Sequence, residues 1–226
     1  MNFVETIDDR VKIQRVLVSV YDKGGLQRFI PELLRLNPGI TVYSTGGTYR
    51  AVADILGGQA ADHLVAVSSY TGQPEMQGGL VKTLDFKIYL GLLSESYNQA
   101  HQEDLERTGA VAFDMVVVNL YPFQKTVKDP EVSPERARAN IDIGGPCMIR
   151  AAAKNYLRVA SVVDPGDYES IVGELERSGG YLSLETRFRL ARKTFSYTSE
   201  YDTAIAAYLC SCSRDQVRES YREVRR

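Results

Sequence analysis

The stretch from Ile40 to Leu56 limits the available folds more than any other part of the chain. A short apolar run (Ile40, Val42) enters Ser44-Thr45-Gly46-Gly47-Thr48, and a helix-like segment, Tyr49 to Leu56, leaves it. That is the order strand, glycine turn, helix. The glycines let the backbone come close to a ligand, the hydroxyls supply donors, and the first N–H groups of the new helix point at the same spot. A phosphate suits such a turn. A plain βα turn with a threonine N-cap reads the same over five residues, so the neighbouring sequence has to separate the two.

Upstream, Arg15 to Val20 is a β-branched run. It is followed by Tyr21-Asp22-Lys23-Gly24-Gly25 and an amphipathic segment through Leu36, closed by Asn37-Pro38-Gly39. Two consecutive βα units predict a parallel, doubly wound sheet. Ligands of such sheets bind beyond the carboxyl ends of the strands, where Lys23 and the Thr45–Thr48 turn would both lie. Downstream, Val67 to Gly91 reads as loop-rich, Glu95 to Arg107 as an exposed helix, and Met115 to Leu120 as a buried strand ending at Tyr121-Pro122-Phe123. Ser133-Pro134-Glu135 opens a helix running to about Ile141 and stopping at Gly144-Gly145. Met148 to Asn155 is strongly helical, Val159 to Val163 is a fourth strand, and Pro165-Gly166-Asp167 leads into a helix with Ile171 and Leu175.

The remainder reads as helix. Leu184 to Leu209 carries apolar residues at helical spacing, and from Ser213 the pairs Asp215/Arg218, Glu219/Arg222 and Glu223/Arg226 face each other on a solvated helix. The expected fold is therefore α/β: a doubly wound, mainly parallel sheet with helices on both faces, plus C-terminal helices. The 226 residues are expected to form one domain, with the α/β core at about 12–165 and the helical part at about 166–226.

Charge and cysteine content narrow the partners. With 27 basic against 29 acidic residues the net charge is −2, which argues against nucleic acid and against an anionic membrane surface. Cys147, Cys210 and Cys212 are an odd set without a disulfide framework, and His63 and His101 lie away from any ligand-spaced cluster. The expectation is a soluble, cytoplasmic protein whose chemistry needs neither metal nor cofactor.

Seven motifs in order and spacing resemble one family. They are Ser19-Val20-Tyr21-Asp22-Lys23, Ser44-Thr45-Gly46-Gly47-Thr48, Thr71-Gly72-Gln73-Pro74-Glu75-Met76, Val81-Lys82-Thr83-Leu84, Asn119-Leu120-Tyr121-Pro122-Phe123, Ile141-Asp142-Ile143-Gly144-Gly145-Pro146 and Arg150-Ala-Ala-Ala-Lys154-Asn155. The chain is identified by them as similar to the IMP cyclohydrolase domain of the bifunctional AICAR transformylase/IMP cyclohydrolase of purine synthesis, whose fold resembles that of methylglyoxal synthase. The resemblance continues through Ser183-Leu-Glu-Thr-Arg and Glu200-Tyr-Asp-Thr-Ala-Ile. It implies a cyclohydrolase domain without the transformylase domain, acting on a purine ribonucleotide, with a homodimer and a separate transformylase as compatible partners.

The implied reaction closes the second purine ring. The carboxamide nitrogen of the formylated ribotide (FAICAR) attacks the formyl carbon, and loss of water gives IMP. Carried over by motif, Lys23, Thr45, Gly46, Gly47 and Thr48 would hold the 5′-phosphate, with Ser19, Thr83, Asn119, Gly144 and Gly145 lining the substrate; Lys82, Tyr121, Asp142 and Lys154 would surround the reacting groups. A carboxylate such as Asp142 can orient the weakly nucleophilic NH2 and accept its proton, while Lys154 or Lys82 and Tyr121 can stabilise the oxyanion formed from the formyl group. Singly, each has a structural reading as well: Asp142 as a turn cap, Lys154 as a cation ending a helix, Tyr121 as packing at a strand end.

One stretch departs from the family pattern of Gly-Arg-Val-Lys-Thr-Leu-His-Pro followed by histidine. Here stand Gly79-Leu80-Val81-Lys82-Thr83-Leu84-Asp85-Phe86 and then Tyr89, and Tyr21 occupies a position where many relatives have serine. The alternative reading is thus a non-catalytic, purine-ribonucleotide-binding or regulatory domain of the same fold. A methylglyoxal synthase-like lyase is disfavoured, because its aspartate and histidine pair is not supplied near these motifs.

Overall fold

Alternation along Arg15–Val20 decides the architecture. In the computed structural model, which describes residues 3–73, 76 and 82–222, Val16, Val18 and Val20 bury into one apolar cluster and Leu17 into another on the opposite face. A strand buried on both sides sits inside a sheet covered by helices on both faces. The described strands are β1 (Arg10–Lys12), β2 (Arg15–Val20), β3 (Thr41–Ser44), β4 (Leu64–Ala66), β5 (Met115–Asn119), β6 (Ala160–Val162) and β7 (Tyr181–Ser183). The main sheet is five-stranded and parallel in the order β4-β3-β2-β5-β6. Val16 is aligned with Val42 on one side and Met115 on the other, and Val20 with Asn119.

The chain runs outward from β2 through β3 to β4 and then crosses back to place β5 on the other side of β2. That reversal puts the topological switch point between β2 and β5. Helices α1 (Leu26–Leu36) and α2 (Gly46–Leu56) cover one face, with α3 (Ala60–His63) and α4 (Val67–Thr71) along the β4 edge. The other face is covered by α5 (Phe86–Leu93) and α9 (Gly144–Lys154). Between these lie α6 (Gln99–Thr108), α7 (Phe123–Thr126) and α8 (Pro134–Ala139); α10 (Tyr168–Ser178), α11 (Leu184–Ser211) and α12 (Arg214–Glu219) follow. Helix α11 is part of the packed body, since Leu190 enters the first cluster and Tyr201 the second.

Several local expectations change. Within Val67 to Gly91, α4 and most of α5 are helical; Gly91 fits because a Cβ there would meet the Val111 carbonyl oxygen at 2.2 Å. Helix α6 starts later than expected because Asn98 caps it, accepting the His101 N–H at 3.2 Å. Gly144 and Gly145 open α9 instead of only ending the helix before it. Residues 74, 75 and 77–81, which include Leu80, and the Glu223/Arg226 pair lie outside the described residues.

A two-stranded antiparallel pair, β1 with β7, was not expected. It is clamped by Arg187, fully buried, whose guanidinium donates to the carbonyls of Asp8, Asp9, Tyr156, Leu157 and Leu182. Spreading one charge over backbone acceptors compensates for its loss of water. No described helix is long and apolar enough to cross a membrane.

Candidate active site

A cleft of about 1320 Å³ opens at the carboxyl ends of β2, β3 and β5, over the switch point. The structure brings Ser19, Lys23, Thr45, Gly46, Gly47, Thr48, Lys82, Thr83, Asn119, Tyr121, Asp142, Gly144 and Gly145 to its walls. Lys154 is not there. Helix α9 begins at the cleft with Gly144, and Lys154 is its exposed last residue, about 15 Å away at 1.5 Å per residue. Its neighbour Asn155 donates to the carbonyls of Leu92 and Ser94, on the far side of the molecule from the strand ends.

Two helices aim their amino-terminal ends at the cleft. Among the described residues, the first N–H groups of α2 with a partner are those of Thr48 and Tyr49, both to the Thr45 carbonyl at 3.1 Å. Those of Gly46 and Gly47 precede them and point out of the helix end, where an anion is favoured. Gly46 has φ of +47°, a conformation that favours glycine, and a Cβ on it would lie 3.4 Å from the Lys82 ammonium. The lysine therefore reaches directly over the glycine turn. Lys23 stands on the rim, donating to the Tyr21 carbonyl at 3.3 Å.

Some motif residues work through the backbone instead of facing a ligand. The Thr48 hydroxyl accepts from Val20 N–H at 3.1 Å and donates to the Val20 carbonyl at 3.0 Å, which ties α2 to β2 and leaves that oxygen little capacity for phosphate. Asn119 accepts from Asp22 N–H and donates to the Asp22 carbonyl, each at 2.8 Å, fixing the loop that carries Lys23. The hydroxyls of Ser19 and Thr45 lie 3.1 Å apart at adjacent strand ends. Thr83 is buried against Gly144, where a Cβ would come within 2.6 Å of its hydroxyl.

Asp142 and Tyr121 are neighbours in the cleft, the Tyr121 N–H pointing to the Asp142 carboxylate. The carboxylate accepts the Gly145 N–H at 2.9 Å, and burial raises its pKa against the opposing pull of the Gly145 and Tyr121 N–H groups. The Tyr121 ring is half exposed and meets Tyr21 edge to face, with centroids 5.5 Å apart. Tyr21, one of the departures from the family pattern, thus supports the Tyr121 ring at the mouth of the cleft. Asp85, another departure, is buried and caps α5 by accepting Lys87 N–H at 2.8 Å.

One wall was missed from sequence. Helix α11 lines the cleft with Lys193, Tyr197, Glu200 and Tyr201, and Asp164 lies at the end of β6. Lys193 pairs with Asp164 at 2.6 Å and with Asp167 at 2.7 Å. Burial opposes its charge, but the two carboxylates hold its pKa above the ordinary value. The available signal was the spacing of four between Lys193, Tyr197 and Tyr201, which puts all three on one helix face.

Comparison with known proteins adds the following. The model of the MGS-like domain matches residues 26–147, and that of the AICARFT/IMPCHase bienzyme matches residues 152–225. The "Bifunctional purine biosynthesis protein PurH" of Ruminiclostridium cellulolyticum is 46% identical over 197 residues, 87% of this chain and 37% of that protein. Its namesake from Neisseria meningitidis is 45% identical over 203 residues, 90% of this chain and 37% of that protein. The chain thus spans about 37% of the length of these curated relatives. Among solved structures, "Crystal structure of ForH" aligns with a TM-score of 0.73 and 32% identity, covering 87% of this chain and 99% of that one.

Proposed function

Because this chain belongs to the MGS-like domain family and, within it, to the group that continues into the AICARFT/IMPCHase bienzyme match, we propose that it is an IMP cyclohydrolase, closing the purine ring of FAICAR to give IMP and water. The observation that carries this reading is the meeting of the Gly46-Gly47 helix end, Lys82, Tyr121 and Asp142 in one cleft.

The geometry supports the following roles. The Gly46 and Gly47 N–H groups and Lys23 hold the 5′-phosphate. Asp142, steadied by the Gly145 N–H, orients the carboxamide NH2 and accepts a proton as nitrogen attacks the formyl carbon. Lys82 stabilises the oxygen as it becomes an oxyanion, with Tyr121 as a second donor; that oxygen is then protonated and leaves as water, its C–O bond breaking as the former formamide nitrogen gives up its proton and forms the ring C=N bond. Nucleophile and electrophile belong to one molecule, so part of the proximity advantage is already in the substrate. Lys154, at the remote end of α9, has no role in this scheme.

A second reading, a ribonucleotide-binding domain without catalysis, is favoured by Asp85. It stands in place of a family histidine and is committed to capping α5. One experiment separates the readings: incubation with FAICAR, followed by absorbance. Ring closure above the uncatalysed rate, with Lys82→Met and Asp142→Asn lowering kcat more than they raise KM, supports the enzyme. IMP binding without any closure supports the binding domain.

A further inference from the structure

Two of the groups proposed to meet the reacting atoms, Tyr121 and Asp142, sit on segments that the main sheet does not hold. Strand β5 ends at Asn119, so Leu120 and Tyr121 lie past its ladder, and Asp142 lies in the turn between α8 and α9. Each segment is held instead from α11. The Leu120 N–H donates to the Tyr197 hydroxyl at 3.1 Å, and the Asp142 N–H donates to the Tyr201 hydroxyl at 2.9 Å. Tyr201 completes the turn by donating to the Asn140 carbonyl at 3.4 Å.

The two tyrosines are four residues apart, so one turn of a single rigid helix sets the separation of the two points they hold, at about 6 Å along the axis. The helix is itself anchored. One turn earlier, Lys193 pairs with Asp164 and Asp167, and the Tyr201 ring meets Phe123 at a centroid distance of 6.2 Å. The held residues fall within the span matched by the MGS-like domain, 26–147, and the holding ones within the span matched by the bienzyme, 152–225.

We propose that Tyr197 and Tyr201 are positioning residues that hold Tyr121 and Asp142 at the separation ring closure requires, so that the C-terminal helix completes the site that the α/β core supplies in part. Its catalytic consequence rests on the cyclohydrolase reading. A hydroxyl that merely satisfied a buried N–H would affect stability. A positioning hydroxyl affects the transition state more than the bound ground state, because a displacement of ångström size at a reacting group lowers rate steeply.

The test uses Tyr197→Phe and Tyr201→Phe, which delete one oxygen each and keep the rings. The readouts are kcat and KM for FAICAR, the Kd for IMP by calorimetry, and Tm. Each variant should lose about tenfold or more in kcat, with KM and Kd changed by less than about threefold and Tm by a few degrees. Unchanged kcat, or kcat, affinity and Tm declining together, would overturn the proposal. If the unmodified protein makes no IMP, the cyclohydrolase reading fails by itself. Positioning is then judged by the IMP-induced shifts of the Tyr121 and Asp142 amide resonances: shifts lost in the variants at unchanged Kd support it, and shifts retained overturn it.

Discussion

Gly145→Ala offers a sharp perturbation of the site, because the structure fixes what the added methyl would meet. A Cβ at Gly145 would lie 2.5 Å from Leu120 Cδ2 and 2.7 Å from Asp142 Oδ2. To restore an ordinary contact of 3.4 Å, the leucine must retreat by about 0.9 Å and the carboxylate by about 0.7 Å. Overpacking of this kind costs about 1–3 kcal/mol. Replacing glycine by alanine in a helix returns about 1 kcal/mol. The net loss of up to about 2 kcal/mol lowers Tm by up to about 8 °C in a chain of this size. The effect on rate is larger, since one residue that moves is Asp142 itself and the other, Leu120, directly precedes Tyr121, and a loss in kcat of about tenfold to a hundredfold is expected. Thermal melts and steady-state kinetics on the same preparations measure both. Gly58→Ala, where a Cβ has nothing within 4 Å, controls for the glycine change itself and should alter neither. If Gly145→Ala melts lower yet closes the ring at the unmodified rate, Asp142 is not required where the structure puts it, and its assigned role is wrong.

Further outcomes are expected. Lys23→Ala should weaken IMP binding about tenfold to a hundredfold by calorimetry, because it removes a charged donor to a dianion. Thr48→Val should lower Tm more than affinity, since its hydroxyl bridges the N–H and carbonyl of Val20; a large loss of affinity at unchanged Tm would make it a phosphate ligand instead. The kcat–pH profile should fall on the acid side through an apparent pKa above the ordinary aspartate value of about 3.9, because burial raises that of Asp142 and the base must be ionised. In Asp142→Asn that limb should vanish. The sign for stability is the opposite: with the folded-state value above the unfolded one, ionised Asp142 is a destabilising group, and its penalty is relieved as pH falls through the folded value.

Strands β2, β3, β5 and β6 are legible in the sequence because β-branched runs bounded by turns mark strands buried on both faces. The Thr45–Thr48 turn is legible because glycine and hydroxyl residues follow such a run. Strands β1 and β7 are three residues each and pair Arg10 with Ser183 across most of the chain, so no local pattern reveals them. Strand β4 is equally short. Helix α5 is obscured by Gly91, whose presence reflects the approach of the Val111 carbonyl. Residue type alone also misleads about the site. Lys154 belongs to a family motif, yet α9 carries it about 15 Å from Gly144, while Tyr197 and Tyr201 look like packing residues until their hydroxyls are seen to accept the N–H groups of Leu120 and Asp142. The hydroxyl of Thr48 and the amide of Asn119 reinforce the cleft floor from behind, a difference that depends on orientation and is absent from composition or spacing.

The most direct test follows the reacting carbon. FAICAR labelled with carbon-13 in its formyl group, incubated with the unmodified protein and watched by NMR, should lose the formyl resonance and gain that of the ring carbon between two nitrogens, at a rate proportional to protein concentration and inhibited by IMP. Conversion at the uncatalysed rate by protein that calorimetry shows to bind IMP would contradict the cyclohydrolase reading.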